Sequence, residues 1–142
     1  MPYTTLEELT DRFGTPMLVS LTDRAEAATG LIDADVVASA LADTDALIDG
    51  YLKARYVLPL SDAQPLVAAI ARDIAIYKLH TYEPDAKITA DYKQALASLK
   101  DIAAGTVQLS ASGVVPASSG GGEARVTDRS RPMTGENLKG FI

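Results

Sequence analysis

Apolar residues recur every three or four positions in several stretches of the chain, which is the spacing of one face of an α-helix. The first stretch, TTLEELTDRF, begins with a threonine that is followed three residues later by a glutamate, the pattern of a capping box. Gly14 ends this stretch, and Pro16 suits the first turn of a helix. We therefore expect two short helices near the start of the chain.

Three longer stretches predict the main helices. They are DADVVASALADTDALIDGYLKARYVLPL, SDAQPLVAAIARDIAIYKLHTY and EPDAKITADYKQALASLKDIAAG. Residues 67–76 of the second stretch are apolar on nearly all sides, which is typical of a helix at the centre of a protein. The first helix should stop before Pro59, the second before Pro84 and the third at Gly105. The predicted fold is all-α, a small antiparallel helical bundle.

The helical pattern ends at Gly105. Residues 106–142 contain the tract SSGGGE, and they predict a long extended C-terminal arm rather than a second folded unit. We therefore divide the chain into a helical bundle domain, residues 1–105, and a linker and docking arm, residues 106–142. Fully extended, this arm reaches at most ~120 Å, which is far enough to touch a neighbouring molecule.

The end of the arm combines basic and apolar residues, a composition typical of segments that bind a partner. From Arg125 onward, four basic and two acidic residues give a charge of +2, whereas the whole chain carries −6. An acidic body argues against wrapping nucleic acid and favours contact with a slightly basic segment. The predicted docking residues are Arg125, Arg129, Arg131, Pro132, Met133, Leu138, Phe141 and Ile142.

Little in the chain predicts catalysis. Cysteine is absent, and His80, the only histidine, lies about two helical turns from the nearest candidate carboxylate, Asp73. Asp43, Asp45 and Asp49 follow one helix, whose side offers fewer converging oxygens than Mg²⁺ or Ca²⁺ requires. We expect no enzymatic activity, no cofactor and no metal.

One ion pair is predicted inside the bundle. Arg55 continues the apolar stripe of the first long helix, and Asp73 interrupts the apolar run of the next. Because burying either charge alone is costly, we expect the two to form a structural ion pair that fixes the register of these helices. The alternative is that each side chain reaches water separately.

Four tyrosines lie near the ends of the two strongest helices. Aromatic residues at helical spacing are usually core residues, and we expect the same here rather than a ligand pocket. They are Tyr51, Tyr56, Tyr77 and Tyr82.

The segment IDGYLKARYVLPL, with TTLEELTDRFG before it and an apolar helix after it, resembles the small head-to-tail joining proteins of Mu-like tailed phages and prophages. Related helical adaptors occur in other long-tailed phages and in gene transfer agents. The resemblance covers residues 2–105, and RPMTGENLKGF near the end shows a weaker similarity. The positions that carry it are Tyr51, Leu52, Arg55, Tyr56, Pro59, Leu60 and Pro65.

The resemblance implies a structural head–tail adaptor of a virion or phage-like particle, assembled in the bacterial cytoplasm. Such adaptors form a closed homo-oligomeric ring, normally dodecameric, beneath the portal protein. The ring binds stopper or tail-proximal proteins, and double-stranded DNA passes through it without specific binding. The C-terminal arms of these adaptors reach a neighbouring subunit, the portal or the next ring. No membrane partner is expected, because no apolar run approaches the length that spans a membrane.

Three other classes stay open at this point. A small DNA-binding regulator would use the two strong helices as a helix-turn-helix, although the acidic charge argues against a basic recognition helix. A helical protein-interaction module of a toxin–antitoxin or secretion system would combine the same fold with a binding tail. An enzyme or metal protein would have to be centred on His80.

Overall fold

The structure, a computed structural model, describes residues 2–109. Within this range the chain forms five α-helices and no strand. The helices are α1 (Leu6–Phe13), α2 (Thr15–Thr22), α3 (Ala34–Leu52), α4 (Pro65–Leu79) and α5 (Ala86–Ala104). The predicted all-α class is confirmed, as are the two short helices ahead of three long ones.

The first two helices begin and end where the capping residues predict. The backbone N–H of Glu8 donates to Oγ1 of Thr5 at 3.3 Å, and the backbone N–H of Thr5 donates to Oε2 of Glu8 at 3.2 Å. This reciprocal pair satisfies two amides that would otherwise lack partners at the helix start. Gly14 separates α1 from α2, and Pro16 lies in the first turn of α2.

Helix α4 is the centre of the bundle. Its buried residues face several directions, as the apolar sequence predicts: Val67, Ile70, Ala71, Ile74, Ala75, Ile76 and Leu79. The first four pack with α3 and α5 in one core cluster, while the last three pack with α1, α2 and the start of α3 in a second cluster. Because α4 contributes to both clusters, it joins the two halves of the core.

Two contacts fix the relative directions of the long helices. The Tyr77 ring near the end of α4 stacks on Tyr92 in the first half of α5, with ring centroids 3.9 Å apart, so these helices are antiparallel. Arg55, just after α3, donates to the carbonyl oxygen of Ala104 at the end of α5, so α3 and α5 run in the same direction. The three long helices therefore alternate up, down and up.

The bundle has two distinct ends. The "exit end" comprises the end of α3, the loop 53–64, the start of α4 and the end of α5. The "opposite end" comprises the start of α3, the end of α4, the loop 80–85 and the start of α5. Packing continues beyond Gly105: Val107 and the buried Leu109 contact the first core cluster at the exit end. The packed body thus extends to Leu109, although residues 106–109 belong to the predicted arm.

Helix α3 is shorter than the apolar pattern suggested. It ends at Leu52, and the chain then turns, so that Arg55 lies in the loop rather than on the helix. The buried Tyr56 follows in this loop, and its backbone N–H donates to the carbonyl oxygen of Leu52 at 2.8 Å. The apolar residues of this turn thus keep helical spacing, although the helix has already ended at Leu52.

Gly105 ends α5 in a conformation that other residues rarely adopt. Its φ is +82°, in the left-handed region, and its N–H donates to the carbonyl oxygen of Ile102. The guanidinium of Arg55 lies where a Cβ of residue 105 would be. Gly50, by contrast, lies within α3, and a Cβ there would meet no atom within 4 Å.

We predict that Gly105→Ala and Gly50→Ala change stability in opposite directions. Alanine at 105 should lower the free energy of unfolding by about 1–2 kcal/mol, because an L-residue is strained in the left-handed region. Alanine at 50 should raise it by about 0.5–1 kcal/mol, because glycine is a poor residue within a helix. Urea unfolding of both variants measures these values, and a shift of the same sign in both would contradict the structure.

Candidate docking surfaces

The largest exposed apolar side chains lie at the two ends of the bundle. At the exit end, Val57 is 61% exposed and Leu66, in the first turn of α4, is 44% exposed. At the opposite end, Leu31 is 70% exposed and Tyr82 is 88% exposed. Exposed apolar residues are normal on protein surfaces when they are scattered. Here, within residues 2–109, the large ones are confined to the ends, which favours contacts with other molecules there.

A cleft of about 480 Å³ opens at the exit end. One wall is the loop from Leu58 to Gln64, and the other contains Pro2, Tyr3 and Asp49. Ala68 of α4 also lines the cleft. The lining is thus mainly apolar, with carboxylates at Asp49 and Asp62.

Hydrogen bonds hold the N-terminal wall of this cleft on α3. The backbone N–H of Tyr3 donates to Oδ1 of Asp45 at 3.0 Å, and the Tyr3 hydroxyl donates to Oδ1 of Asp49. The next residue, Thr4, is buried and donates to Oε2 of Glu8 at 2.8 Å. The segment before α1 is therefore fixed in place by side chains of two helices.

The carboxylates under this segment have an unusual environment. Burial raises the pKa of Asp45, the charge of Asp49 adds to this effect, and the hydrogen bond from the Tyr3 backbone opposes it. Burial, followed by the hydrogen bond to Asp49, raises the pKa of the Tyr3 hydroxyl as well. The hydroxyl therefore keeps its proton, and it remains a donor to Asp49 over the neutral pH range.

The described chain ends at the same end of the bundle as the cleft. The backbone N–H of Leu109 donates to the hydroxyl oxygen of Tyr56 at 3.2 Å, and this contact is buried. Tyr56 is only two residues ahead of Leu58 in the cleft wall. The described residues thus end at the exit end.

The opposite end contains a second pocket of about 470 Å³, lined in part by Arg24, His80 and Tyr82. Arg24 Nη2 donates to the carbonyl oxygen of Leu79 at 2.7 Å, which caps the end of α4. Nδ1 of His80 lies 2.7 Å from the carbonyl oxygen of Ile76, and since a carbonyl oxygen only accepts, Nδ1–H is the donor of this contact. His80 is half-buried at the C-terminal end of α4.

The predicted pair of Arg55 and Asp73 is not brought together. Arg55 Nη1 donates to the carbonyl oxygen of Ala104 at 3.4 Å. Asp73 is half-buried; burial raises its pKa, as does Asp91, whereas Arg12 and then Lys87 lower it. Because Asp91 and Ala104 are thirteen residues apart on α5, the two neighbourhoods lie about 20 Å apart along that helix. The early end of α3 explains why Arg55 does not face α4 as predicted.

The four tyrosines predicted for the core differ in their exposure to solvent. Tyr56 is buried, but Tyr82 is almost fully exposed, so the expectation that Tyr82 belongs to the core is wrong.

Within residues 2–109, histidine and acidic side chains form no group of three that could hold a metal ion. None of the helices in this range is long and apolar enough to cross a bilayer.

The predicted docking residues of the arm, from Arg125 to Ile142, lie outside the described residues. The cleft is not apparent from the sequence, because Tyr3 and Asp49 are 46 residues apart. The available signal was an aromatic residue two positions before the capping box, where no helical spacing accounts for it.

We predict a pH-dependent role for Tyr3. Removing its hydroxyl in Tyr3→Phe should lower the free energy of unfolding by about 1 kcal/mol at pH 7, since a hydrogen bond to a carboxylate is lost. The folded state holds this proton more tightly than the unfolded state, where the pKa is about 10. The stabilisation is therefore complete below about pH 10 and is lost as the pH rises through the higher folded-state pKa.

Urea unfolding of the natural chain and Tyr3→Phe from neutral to strongly alkaline pH tests this prediction. The difference between the two proteins should shrink at high pH. The matched control is Tyr82→Phe, which alters a highly exposed hydroxyl and should leave stability unchanged. A difference for Tyr3→Phe that stays constant across the alkaline range would contradict the assignment.

Sequence similarity to known proteins extends over both the bundle and the predicted arm. The family model described as Bacteriophage Mu, Gp36 matches residues 3–128. The chain is also 33% identical to Gene product J of Escherichia phage Mu over 142 residues, which are 100% of each protein. The resemblance to Mu-like phage proteins is thereby confirmed, and the chain belongs to the Bacteriophage Mu Gp36 family.

Proposed function

We propose that this protein is a structural head–tail adaptor of a tailed phage or phage-like particle. It forms a closed ring beneath the portal protein, binds stopper or tail-proximal proteins on the other side, and lets DNA pass through. Membership of a phage protein family supports a role in the particle. The finer assignment depends on the placement of the bundle's exposed apolar residues.

The observation that carries the proposal is the presence of two separate apolar ends. Leu31 and Tyr82 lie at one end, Val57 and Leu66 at the other. The 19 residues of α3 separate these ends by about 28 Å. A protein that joins two larger structures needs two such contact surfaces, and a rigid bundle keeps them at a fixed distance.

The charge of the body suits a DNA conduit. Residues 1–109 contain nine basic and sixteen acidic residues, and all four charged residues of α3 are aspartates. Binding to DNA depends on neutralising its phosphates with lysine and arginine. An acidic ring therefore allows DNA to move through without being held.

The C-terminal arm supplies a further contact in this proposal. Residues 125–142 dock on a neighbouring subunit or on the portal, so that each subunit of the ring is tied to another molecule. Linking two contacts in one chain raises their effective concentration, and weak contacts then add up around a closed ring.

Deletion of residues 125–142 tests the role of the arm. We expect the shortened protein to be folded, because the core clusters lie within residues 2–109. In a particle-producing strain that carries only this version, DNA-filled heads and free tails should accumulate unjoined. Circular dichroism checks the fold, and electron microscopy counts the joined particles. Normal numbers of infectious or DNA-transferring particles would show that the arm is dispensable.

Charged substitutions at the two ends should block assembly at different steps. Val57→Asp alters the exit end, and Tyr82→Asp alters the opposite end. Each variant replaces an exposed apolar side chain with a charged one. One variant should fail to attach to heads, whereas the other should attach but leave the heads without tails. Immunoblots of purified heads, together with electron microscopy, distinguish the two steps.

Ala97→Asp is the matched control for these variants, because it adds the same charge to an exposed position on the side of α5. It should support joining. Normal particles from both end variants, or an equally strong block by Ala97→Asp, would contradict the assignment of the ends as contact surfaces.

A further inference from the structure

We infer that the cleft at the exit end is the receptor for the C-terminal segment, residues 131–142, of a second copy of this chain. The inference deepens the proposed function and rests on it only for the ring that supplies the second copy. It selects the neighbouring subunit, rather than the portal, as the molecule that the arm contacts.

The cleft has the size and chemistry to hold a short apolar peptide. Its volume of about 480 Å³ falls within the roughly 300–1,000 Å³ of typical ligand pockets. Leu58, Pro59 and Leu60 form one side, and Ala68 of α4 also contributes. The hydrogen bonds of Tyr3 fix the other side on α3, so binding requires little ordering of the receptor.

The C-terminal segment matches this cleft in composition. It contains the apolar residues Pro132, Met133, Leu138, Phe141 and Ile142. It also contains Arg131 and Lys139, whose charge is opposite to that of Asp49 in the cleft lining. The same difference in charge holds for the larger segments. Residues 110–142 have four basic and three acidic residues, whereas residues 1–109 have seven more acidic residues than basic ones.

Chain length favours the cleft of a neighbour over the chain's own cleft. The described chain ends at Leu109, which contacts Tyr56 at the same end of the bundle as the cleft. Twenty-two residues, 110–131, precede Pro132, more than is needed to reach a cleft at the same end of the same subunit. A Ser/Gly-rich spacer of that length spans roughly 25 Å on average, similar to the width of a small helical bundle.

Symmetry makes this arrangement self-consistent. In a cyclic ring all exit ends lie at the same level, so Leu109 of one subunit and the cleft of the next subunit lie at the same level along the ring axis. Each subunit then donates one segment and receives one, and the ring closes with every cleft filled.

Cysteine trapping in the full-length protein tests the inference, and the absence of natural cysteines makes every disulfide assignable. One chain carries Ala63→Cys in the cleft lining, and a second chain of different tag mass carries Gly140→Cys beside Phe141. The two are mixed at high concentration and oxidised. Thr81→Cys, an exposed loop residue at the opposite end, replaces Ala63→Cys as the matched control.

We expect about tenfold more linked heterodimer with the cleft cysteine than with the control cysteine, a difference of about 1.4 kcal/mol. Replacing Phe141 and Ile142 by serine in the Gly140→Cys chain should reduce trapping to the control level. Equal trapping at both ends would overturn the inference. So would a chain carrying both Ala63→Cys and Gly140→Cys that forms only internal disulfides, since the segment would then bind its own subunit.

The result is separable from the proposed function. If trapping fails but the deletion of residues 125–142 still prevents head–tail joining, the arm acts elsewhere and the adaptor proposal stands. If trapping succeeds but particles join without the arm, the cleft assignment stands and the arm's role in joining is wrong.

Discussion

The fold depends on burying α4, which has apolar residues on several sides and must therefore be covered by other helices. Its buried residues face both core clusters, and residues such as Ile74 and Ile76 are almost completely inaccessible to water. Each fully buried aliphatic side chain of this kind contributes roughly 1.5–3 kcal/mol relative to its exposed state. The helices α3 and α5 cover α4 on one side, while α1 and α2 complete the second cluster. The short N-terminal helices are therefore part of the core rather than an appendage.

This use of apolar surface explains where the molecule can meet others. Since the long helices turn their apolar residues toward α4, the sides of the bundle are left mainly polar. In the described part of the chain, large apolar residues remain exposed only at the two ends, as at Val57 and Tyr82 in loops and Leu66 in the first turn of α4. A bundle built around one central helix thus presents its strongest contact sites along its axis.

The sequence predicts the features of the fold that depend on neighbouring residues. The capping box at Thr5, the first-turn proline Pro16 and the left-handed Gly105 mark helix boundaries through local chemistry. The prediction failed at Arg55, because the apolar spacing of α3 continues through a turn that only tertiary packing reveals. The cleft escaped prediction for a related reason: its walls come from the N-terminal segment and a loop distant in sequence, which α3 and α4 bring together.

The exit end combines features that the rest of the bundle lacks. The N-terminal segment is held there by Asp45 and Asp49, and the described chain ends there at the contact of Leu109 with Tyr56. Arg55 connects the same loop to the end of α5. Because this loop also packs on the main core cluster, the cleft wall and Leu109 share one support.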